Sequence, residues 1–333
     1  MHLLAGAADV RLGRRFGRRQ RRTREGEGGQ GNRDPAHVAS MGATPAGPQL
    51  GCLRNGWESG NPSVNTVTYA ANMDVGTLIG RLEQWFPPEL AEDWDAVGLL
   101  TGRRGDEVSK VALAVDPTQA TIEWALAEHA QFLLVHHPLY LRGTTNVDGD
   151  SAKGSLIHTA IERGLAIYVA HTNADIARPG VSDALIEALG VKHSLPIRPH
   201  PSDPMLGVGR VGNLDAPTTL GEFAARVAWA LPATHSGIRW AGPTDRVIKR
   251  VAVCGGAGDD LLPDVDADVY VTSDLRHHVA SDYLALGCAA LVDIPHAASE
   301  SLWLQPLGHR LAELGVSTVV CPFITDPWAA HHA

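Results

Sequence analysis

From residue 73 onward this 333-residue chain reads as an α/β protein made of two related α/β lobes. Three observations predict that class. Short apolar β-runs alternate with segments of helical period, which is the pattern of βαβ units and a largely parallel sheet. A stretch carrying four prolines, VKHSLPIRPHPSDPML at 191–206, interrupts the alternation and marks a boundary. Beyond it the same pattern restarts, and each half holds a VAL or VAV strand ending in a small or acidic residue, as an ancient duplication would leave. The length suffices for two domains, each with its own core.

In chain order, the first element is a helix from Asp74: Val75, Leu78, Ile79, Leu82 and Trp85 recur at helical spacing, and Pro87-Pro88 ends it. An acidic, Trp-containing loop follows, AEDWDAVGLLTG, and then a β-run from Lys110 to Val115. Asp116-Pro117 is expected to open the next helix, with Asp as cap and Pro in the first position, and that helix runs to about Ala130. The strand inside FLLVHHPLYLRGTT, 132–145, delivers His136 and His137 to its carboxyl end, where Pro138 stops it. A polar loop at 143–150, a helix at 155–163 ended by Gly164, and a buried strand AIYVAHT come next. The loop NADIARPG and a helix from Val181 to Leu189, stopped by Gly190, close the first half. In the second half the strands GVGRVGNL, VIKRVAVCGG, DVYVTSD, AALVDIPH and STVVCP alternate with helices, the longer ones at 219–230, 276–286 and 299–314.

Composition narrows the function classes. Hydrophobic content of 44% and charged content of 20% are those of an ordinary globular protein. A formal net charge of -9 argues against a general nucleic-acid binder. Cys52, Cys254, Cys288 and Cys321 stand far apart without a CxxC pair, so they read as buried small hydrophobes in a reducing cytoplasm. No apolar run approaches the ~20 residues that cross a membrane.

Residues 1–72 depart from this average. They hold ten Arg against five acidic residues, with many Gly, Pro, Ser and Asn, a composition that buries too little apolar surface to offset its ordering entropy. Disorder is expected there. A transit peptide, a basic nucleic-acid arm, and a segment outside the functional protein with translation starting near Met73 are the three readings, the last being favoured.

The chemistry is expected at strand carboxyl ends, where open α/β sheets keep their clefts. Four groups stand there: His136-His137; His171 with Asp175; Asp274 with His277 and His278; and Asp293 with His296 and Glu300. Singly, each has a bland explanation, since a strand-end Asp usually caps a helix and an H-x-x-x-E pair usually lies on a helix surface. Four such clusters at the ends of four apolar strands are too many for that. If a helix begins by His296, a spacing of four puts His296 and Glu300 on one face. Nitrogen and oxygen donors without thiolates suit Zn, Fe, Mn, Co or Ni. His136, His137, Asp175, His296 and Glu300 make five ligands, more than one catalytic ion normally takes, and a bridging carboxylate fits a two-ion hydrolytic site.

Other chemistries lack their motifs. There is no G-x-S-x-G elbow, no G-x-x-x-x-G-K-[ST] loop and no HExxH. Cys254-Gly-Gly-Ala-Gly258 follows a strand and is either a phosphate cradle or a tight glycine turn. The eight tryptophans are scattered and form no stacking platform for successive bases.

LAEDWDAVGLLTG, LLVHHPLYLRG, AHTNADIARPGVSDALIEALG, VAVCGGAGDDLL, VYVTSDLRHHVASDY and LVDIPHAASE, in that order, resemble the motifs of the NIF-three-like family of dinuclear metal-centre proteins, the GTP cyclohydrolase 1 type 2 homologues. The resemblance covers about 73–331. It implies a two-ion site of His136, His137, Asp175, His296 and Glu300, taking Zn, Fe or Mn in the cleft between two lobes, with His171 and His278 as groups behind the ligands or on the substrate side, one or the other of them being the candidate proton carrier. It also implies a cytoplasmic homohexameric toroid of the short form, without an inserted domain, and a nucleotide-like small-molecule substrate. The lobes are expected over 73–191, completed by 297–330, and over 192–296. Ala96 stands where the family usually has the Asn of W-D-N-V-G. The function implied is metal-dependent hydrolysis, in its specific form GTP cyclohydrolase with formate release. The alternative is a metal-binding hexameric scaffold or regulatory protein without catalysis, which the lost Asn favours.

Overall fold

The structure, a computed structural model, describes residues 73–332. What was expected of 1–72 lies outside the described residues. Helix α1 (Val75–Trp85) is capped by Asp74, whose Oδ1 accepts the Thr77 N–H at 2.6 Å, and it buries the stripe Val75, Leu78, Ile79 and Leu82. After a single 3-10 turn (Pro88–Leu90) come β1 (Gly98–Thr101), β2 (Lys110–Ala114), α2 (Gln119–Ala127), β3 (Phe132–Val135), α3 (Ala152–Glu162), β4 (Ala166–Val169), α4 (Thr172–Ile176) and α5 (Val181–Ala188). The chain continues through β5 (Ser194–Leu195), β6 (Arg198–His200), β7 (Asp203–Val208), β8 (Arg210–Thr219), α6 (Leu220–Ala230), β9 (Arg239–Ala241) and β10 (Val247–Ala257). A 3-10 segment (Asp259–Asp264), β11 (Val269–Ser273), α7 (His277–Ala285), β12 (Ala290–Ile294), α8 (His296–Ser301), α9 (Leu304–Ala312) and β13 (Ser317–Val320) complete it.

These strands build two main sheets. The first has the order β1-β4-β3-β2-β13, with β4, β3, β2 and β13 parallel and β1 antiparallel on the edge. Every residue of β3 and β4 is buried, because helices cover both faces. Side chains alternate accordingly. Leu113, Phe132, Leu134 and Tyr168 face α1 and α9, while Ala112, Leu133, Val135 and Ile167 face α2 and α3. The second sheet has the order β5-β8-β10-β11-β12-β9, with a parallel centre, β10-β11-β12, and antiparallel neighbours. Leu185, Ile186, Phe223 and Val227 of α5 and α6 cover one face, and Leu261, Leu262 and Tyr283 the other.

The sequence-based pattern and the structure part at several places. The loop AEDWDAVGLLTG contains β1, which the short apolar run Leu99-Leu100 did not distinguish from a loop. Thr118, not Asp116, caps α2, its side chain accepting the Thr121 N–H, and the helix ends at Ala127. The loop after the fourth strand holds a single helical stretch, α4. The helix expected over 299–314 is two helices, α8 starting earlier at His296 and α9 following Trp303. The second sheet is mixed, not largely parallel. The proline-rich 191–206 carries the short strands β5, β6 and most of β7, and α5, which precedes it, already packs on the second sheet.

Candidate metal centre

The carboxyl ends of the parallel strands of both sheets meet at one place. From the first sheet, β2 leads to Asp116, β3 to His136 and His137, and β4 through Ala170 to His171. From the second, β11 ends before Asp274, β12 runs through Pro295 into His296, and β10 turns at Gly255-Gly256. Asp274 sits in the left-handed region, φ 58°, a conformation that Asp tolerates better than most residues.

Four imidazoles are fixed by the same device. His136 Nδ1 lies 2.9 Å from the Ala170 carbonyl oxygen, His137 Nδ1 2.7 Å from Asp116 Oδ1, His171 Nδ1 2.9 Å from Asp95 Oδ1, and His296 Nδ1 2.7 Å from Asp274 Oδ2. An oxygen acceptor at each Nδ1 assigns a proton there, which leaves Nε2 as the atom that can hold a cation or, in the metal-free chain, a second proton. The Nε2 atoms of His137 and His296 are 3.3 Å apart. Glu300 completes the arrangement: Oε1 is 3.0 Å from His296 Nε2 and 3.5 Å from His136 Nε2, and Oε2 is 3.1 Å from His137 Nε2. Because α8 begins at His296, these two ligands share its inner face, one turn apart. Asp175 on α4 brings Oδ1 to 3.7 Å from His136 Nε2.

These residues fit a cation. His136 Nε2, Asp175 Oδ1 and Glu300 Oε2 are buried with no hydrogen-bond partner, a costly state for polar atoms that a bound ion resolves. Two groups have ligand atoms within 4.8 Å of one another: His136, His137 and His171; and His137, His296 and Glu300. Nitrogen and oxygen donors of this kind suit a first-row divalent metal. The oxygens behind each Nδ1 orient the rings and raise their basicity as in established metal sites.

Charge balance points the same way. Burial opposes ionising Glu300, yet the His136 and His137 imidazoles hold its carboxyl well below the usual range. Burial would lower the His137 pKa, but Glu300 and Asp116 push it up to about 10; for His296, Glu300 and Asp274 raise it to about 9. His136 is also raised, against burial, by Glu300 and Asp175. Asp175 is raised mainly by burial. In the metal-free chain, protons on the imidazoles offset Glu300.

A cleft of ≈690 Å³ opens onto this floor on the side of Asp175 and His171, and a second of ≈820 Å³ lies on the side of Asp116 and Asp274. The glycine pair near the end of β10, where its register with β11 shifts, forms part of the first. Gly256 has φ +68°, and a Cβ there would stand 2.4 Å from Glu300 Oε1 and 3.2 Å from His296 Nε2. Two N–H groups that the phosphate-cradle reading needs are committed elsewhere: the Gly255 N–H is donated to Ser182 Oγ and the Gly256 N–H to Ser299 Oγ.

All five expected ligands, His136, His137, Asp175, His296 and Glu300, therefore come together, and His171 stands beside them. His278 does not. It lies exposed in the first turn of α7 with its ring against His277 at 5.1 Å. Asp293, grouped with His296 in the sequence, instead accepts from Arg239 at 2.6 Å and from the Leu275 N–H. Sequence reasoning missed what Asp95 and Asp116 do. Asp95 has a fully buried side chain that also takes the Thr172 N–H and hydroxyl, which holds its pKa well below the usual carboxylate range despite burial. Asp116 was expected as a helix cap; its place at a strand end next to the His136-His137 strand was the available signal.

Comparison with known proteins follows the same outline. A model of the Duf34/NIF3 (NGG1p interacting factor 3) family matches residues 73–327. A "GTP cyclohydrolase 1 type 2 homolog" of Streptomyces coelicolor is 46% identical over 270 residues, 78% of this chain and 95% of that protein. Among solved structures, a Bacillus cereus protein related to NIF3 superposes with a TM-score of 0.72 at 25% identity, covering 78% of this chain and 99% of its own. A Staphylococcus aureus hypothetical protein gives 0.71 at 26% identity with the same coverage. Among the described residues, no helix is long and apolar enough to cross a membrane.

Proposed function

Since the chain belongs to the Duf34/NIF3 family, we propose that it is a metal-dependent hydrolase whose two divalent ions are held by His136, His137, Asp175, His296 and Glu300, and that it acts on a nucleotide-like small molecule. The observation that supports this most is the convergence of oriented Nε2 atoms and unpartnered carboxylate oxygens on one buried point at the floor of an open cleft. Bound divalent ions supply Lewis acidity and a water acidic enough to ionise near neutral pH. The chain supplies the rest. Glu300, within reach of His136, His137 and His296, is the carboxylate that would hold a cation together with them. Trp303 packs edge-on against His136 at 5.7 Å and closes the floor against bulk water. To His171, held by Asp95 at Nδ1 and lining the cleft, we assign the taking and returning of a proton at Nε2.

The names of the relatives suggest the specific form, GTP cyclohydrolase, in which the purine ring opens and formate leaves. Protein loaded with Zn, Fe or Mn is expected to release formate from GTP, measured directly in the assay mixture. Silence towards GTP removes the specific form, and silence towards other purine compounds and phosphoesters removes the hydrolase reading. The second reading, a metal-binding hexameric scaffold without catalysis, is favoured by Ala96: it is exposed beside Asp95 and carries no amide with which to orient a substrate.

A further inference from the structure

The segment that follows β13 reaches the metal centre from behind. β13 runs parallel to β2 with Val320 opposite Leu113, and the Cys321 N–H donates to the Leu113 carbonyl at 2.8 Å. The two strands thus end side by side, and the residues after β13 lie against the carboxyl end of β2, where Asp116 stands. There Thr325 Oγ1 donates to Asp116 Oδ2, joining residues 209 apart in sequence. The hydroxyl is the donor because an ionised carboxylate only accepts.

Asp116 divides its two oxygens between these partners. Oδ1 faces His137 Nδ1 at 2.7 Å and Oδ2 takes the Thr325 hydroxyl; among the described residues its side chain has no other hydrogen-bond partner. Asp95 shows the same arrangement, with Oδ1 on His171 and Oδ2 accepting the N–H and hydroxyl of Thr172. In that case the threonine is the histidine's chain neighbour, whereas Asp116 receives its threonine from a distant segment. A carboxylate held at one oxygen can turn away from the imidazole. Held at both, it keeps the ring in the orientation that a metal ligand needs. Attaching the segment does not call for this hydroxyl, because apolar contacts already hold it: Ile324 packs into the core on one face of the first sheet, Cys321 into that on the other, and the rings of Phe323 and Trp124 meet at 6.5 Å.

We propose that Thr325 is a positioning residue of the metal centre: its hydroxyl fixes the Asp116 carboxylate on His137, and the segment after β13 thereby sets how tightly the centre holds its metal. The inference rests on the reading of His136, His137, Asp175, His296 and Glu300 as metal ligands, and it is independent of what the centre acts upon. Thr325 works only through Asp116, so removing its hydroxyl should matter only while the Asp116 carboxylate is there to be held.

The test is a double-mutant cycle read as zinc affinity, by competition against a chelator of known affinity, on the full chain and its variants. Resistance of each metal-free form to denaturant is measured alongside. Thr325→Val, or Thr325→Ala should the valine variant not fold, is expected to weaken zinc binding roughly three- to thirty-fold, and Asp116→Asn roughly 10- to 100-fold. Thr325→Ser keeps the hydroxyl and should stay within about twofold of the unaltered chain. In the Asp116→Asn background, removing the Thr325 hydroxyl should change zinc affinity by less than about twofold. Unchanged affinity in Thr325→Val, a serine variant as weak as the valine one, or an equal further loss on top of Asp116→Asn would each overturn the proposal, and all three would leave the metal-centre reading intact. An unaltered chain that binds no zinc would remove that reading and this inference with it. Zinc held in the expected order by chains that turn nothing over would support this inference and remove the hydrolase reading.

Discussion

Each imidazole of the centre is held by an oxygen behind its Nδ1, and the carboxylates among those oxygens are open to test one at a time. Asp274 suits this best, because its side chain is 60% exposed and the fold does not depend on it. Asp274→Asn removes the charge behind His296 and should weaken metal binding by roughly 10- to 100-fold without unfolding the protein. Competition against a chelator of known affinity measures this, and an unchanged affinity would show that the acceptor is idle. The charge state of the metal-free centre gives a pH dependence with a definite sign. His137 and His296 have folded-state pKa values raised to about 10 and about 9 from an ordinary 6.5. The stability they contribute is complete below about 6.5 and disappears as pH rises through 9 to 10. Metal-free protein should therefore lose resistance to denaturant between pH 7 and pH 10. Metal binding at pH 7 should release protons, detectable as a dependence of the calorimetric heat on the buffer's ionisation enthalpy.

At the scale of elements, what the sequence disclosed and what it hid follow from how locally each feature is specified. The helix stripe of α1 and the apolar runs of β2, β3 and β4 are written in consecutive residues, and they are where the pattern put them. The clustering of the candidate ligands was legible for a related reason: in parallel sheets, strand carboxyl ends gather, so polar residues ending separate apolar runs gather too. β1 is an edge strand of four residues set by its partner β4, and the partnerships Asp95–His171 and Asp116–His137 span 76 and 21 residues. Nothing local announces such pairs. The glycine pair near the end of β10 shows the opposite case, in which a local motif had two meanings and packing, not sequence, says where its N–H groups go. Gly256→Ala should lose roughly 1–3 kcal/mol of stability and most of the metal affinity, because the left-handed backbone there disfavours a Cβ and the added Cβ collides with Glu300. Gly287→Ala shares the positive φ (71°) but meets nothing within 4 Å, so it should cost stability alone. Equal metal affinities in the two variants would refute this account of the glycine pair.

Across the whole molecule, the centre depends on two sheets being held in one relation. His136, His137 and Asp175 come from the first sheet and its following helix, while His296 and Glu300 follow the second. Arg210 on β8, fully buried, ties the segment after Asp175 to the second sheet: Nε and Nη2 grip Asp183 at 2.7 and 2.8 Å, and Nη2 also donates to the Ala177 carbonyl. Removing one partner of such a buried pair typically costs ~3–5 kcal/mol, so Arg210→Met should lower stability by about that much and loosen the Asp175 side of the site. The central claim is that residues from both sheets hold two ions with Glu300 between them. Anomalous diffraction from crystals of the zinc-loaded chain, recorded on both sides of the metal edge, tests it most directly. The account predicts two peaks, one beside His136 and Asp175 and one beside His137 and His296, each in reach of a Glu300 oxygen. A single peak, or peaks away from Glu300, would contradict it.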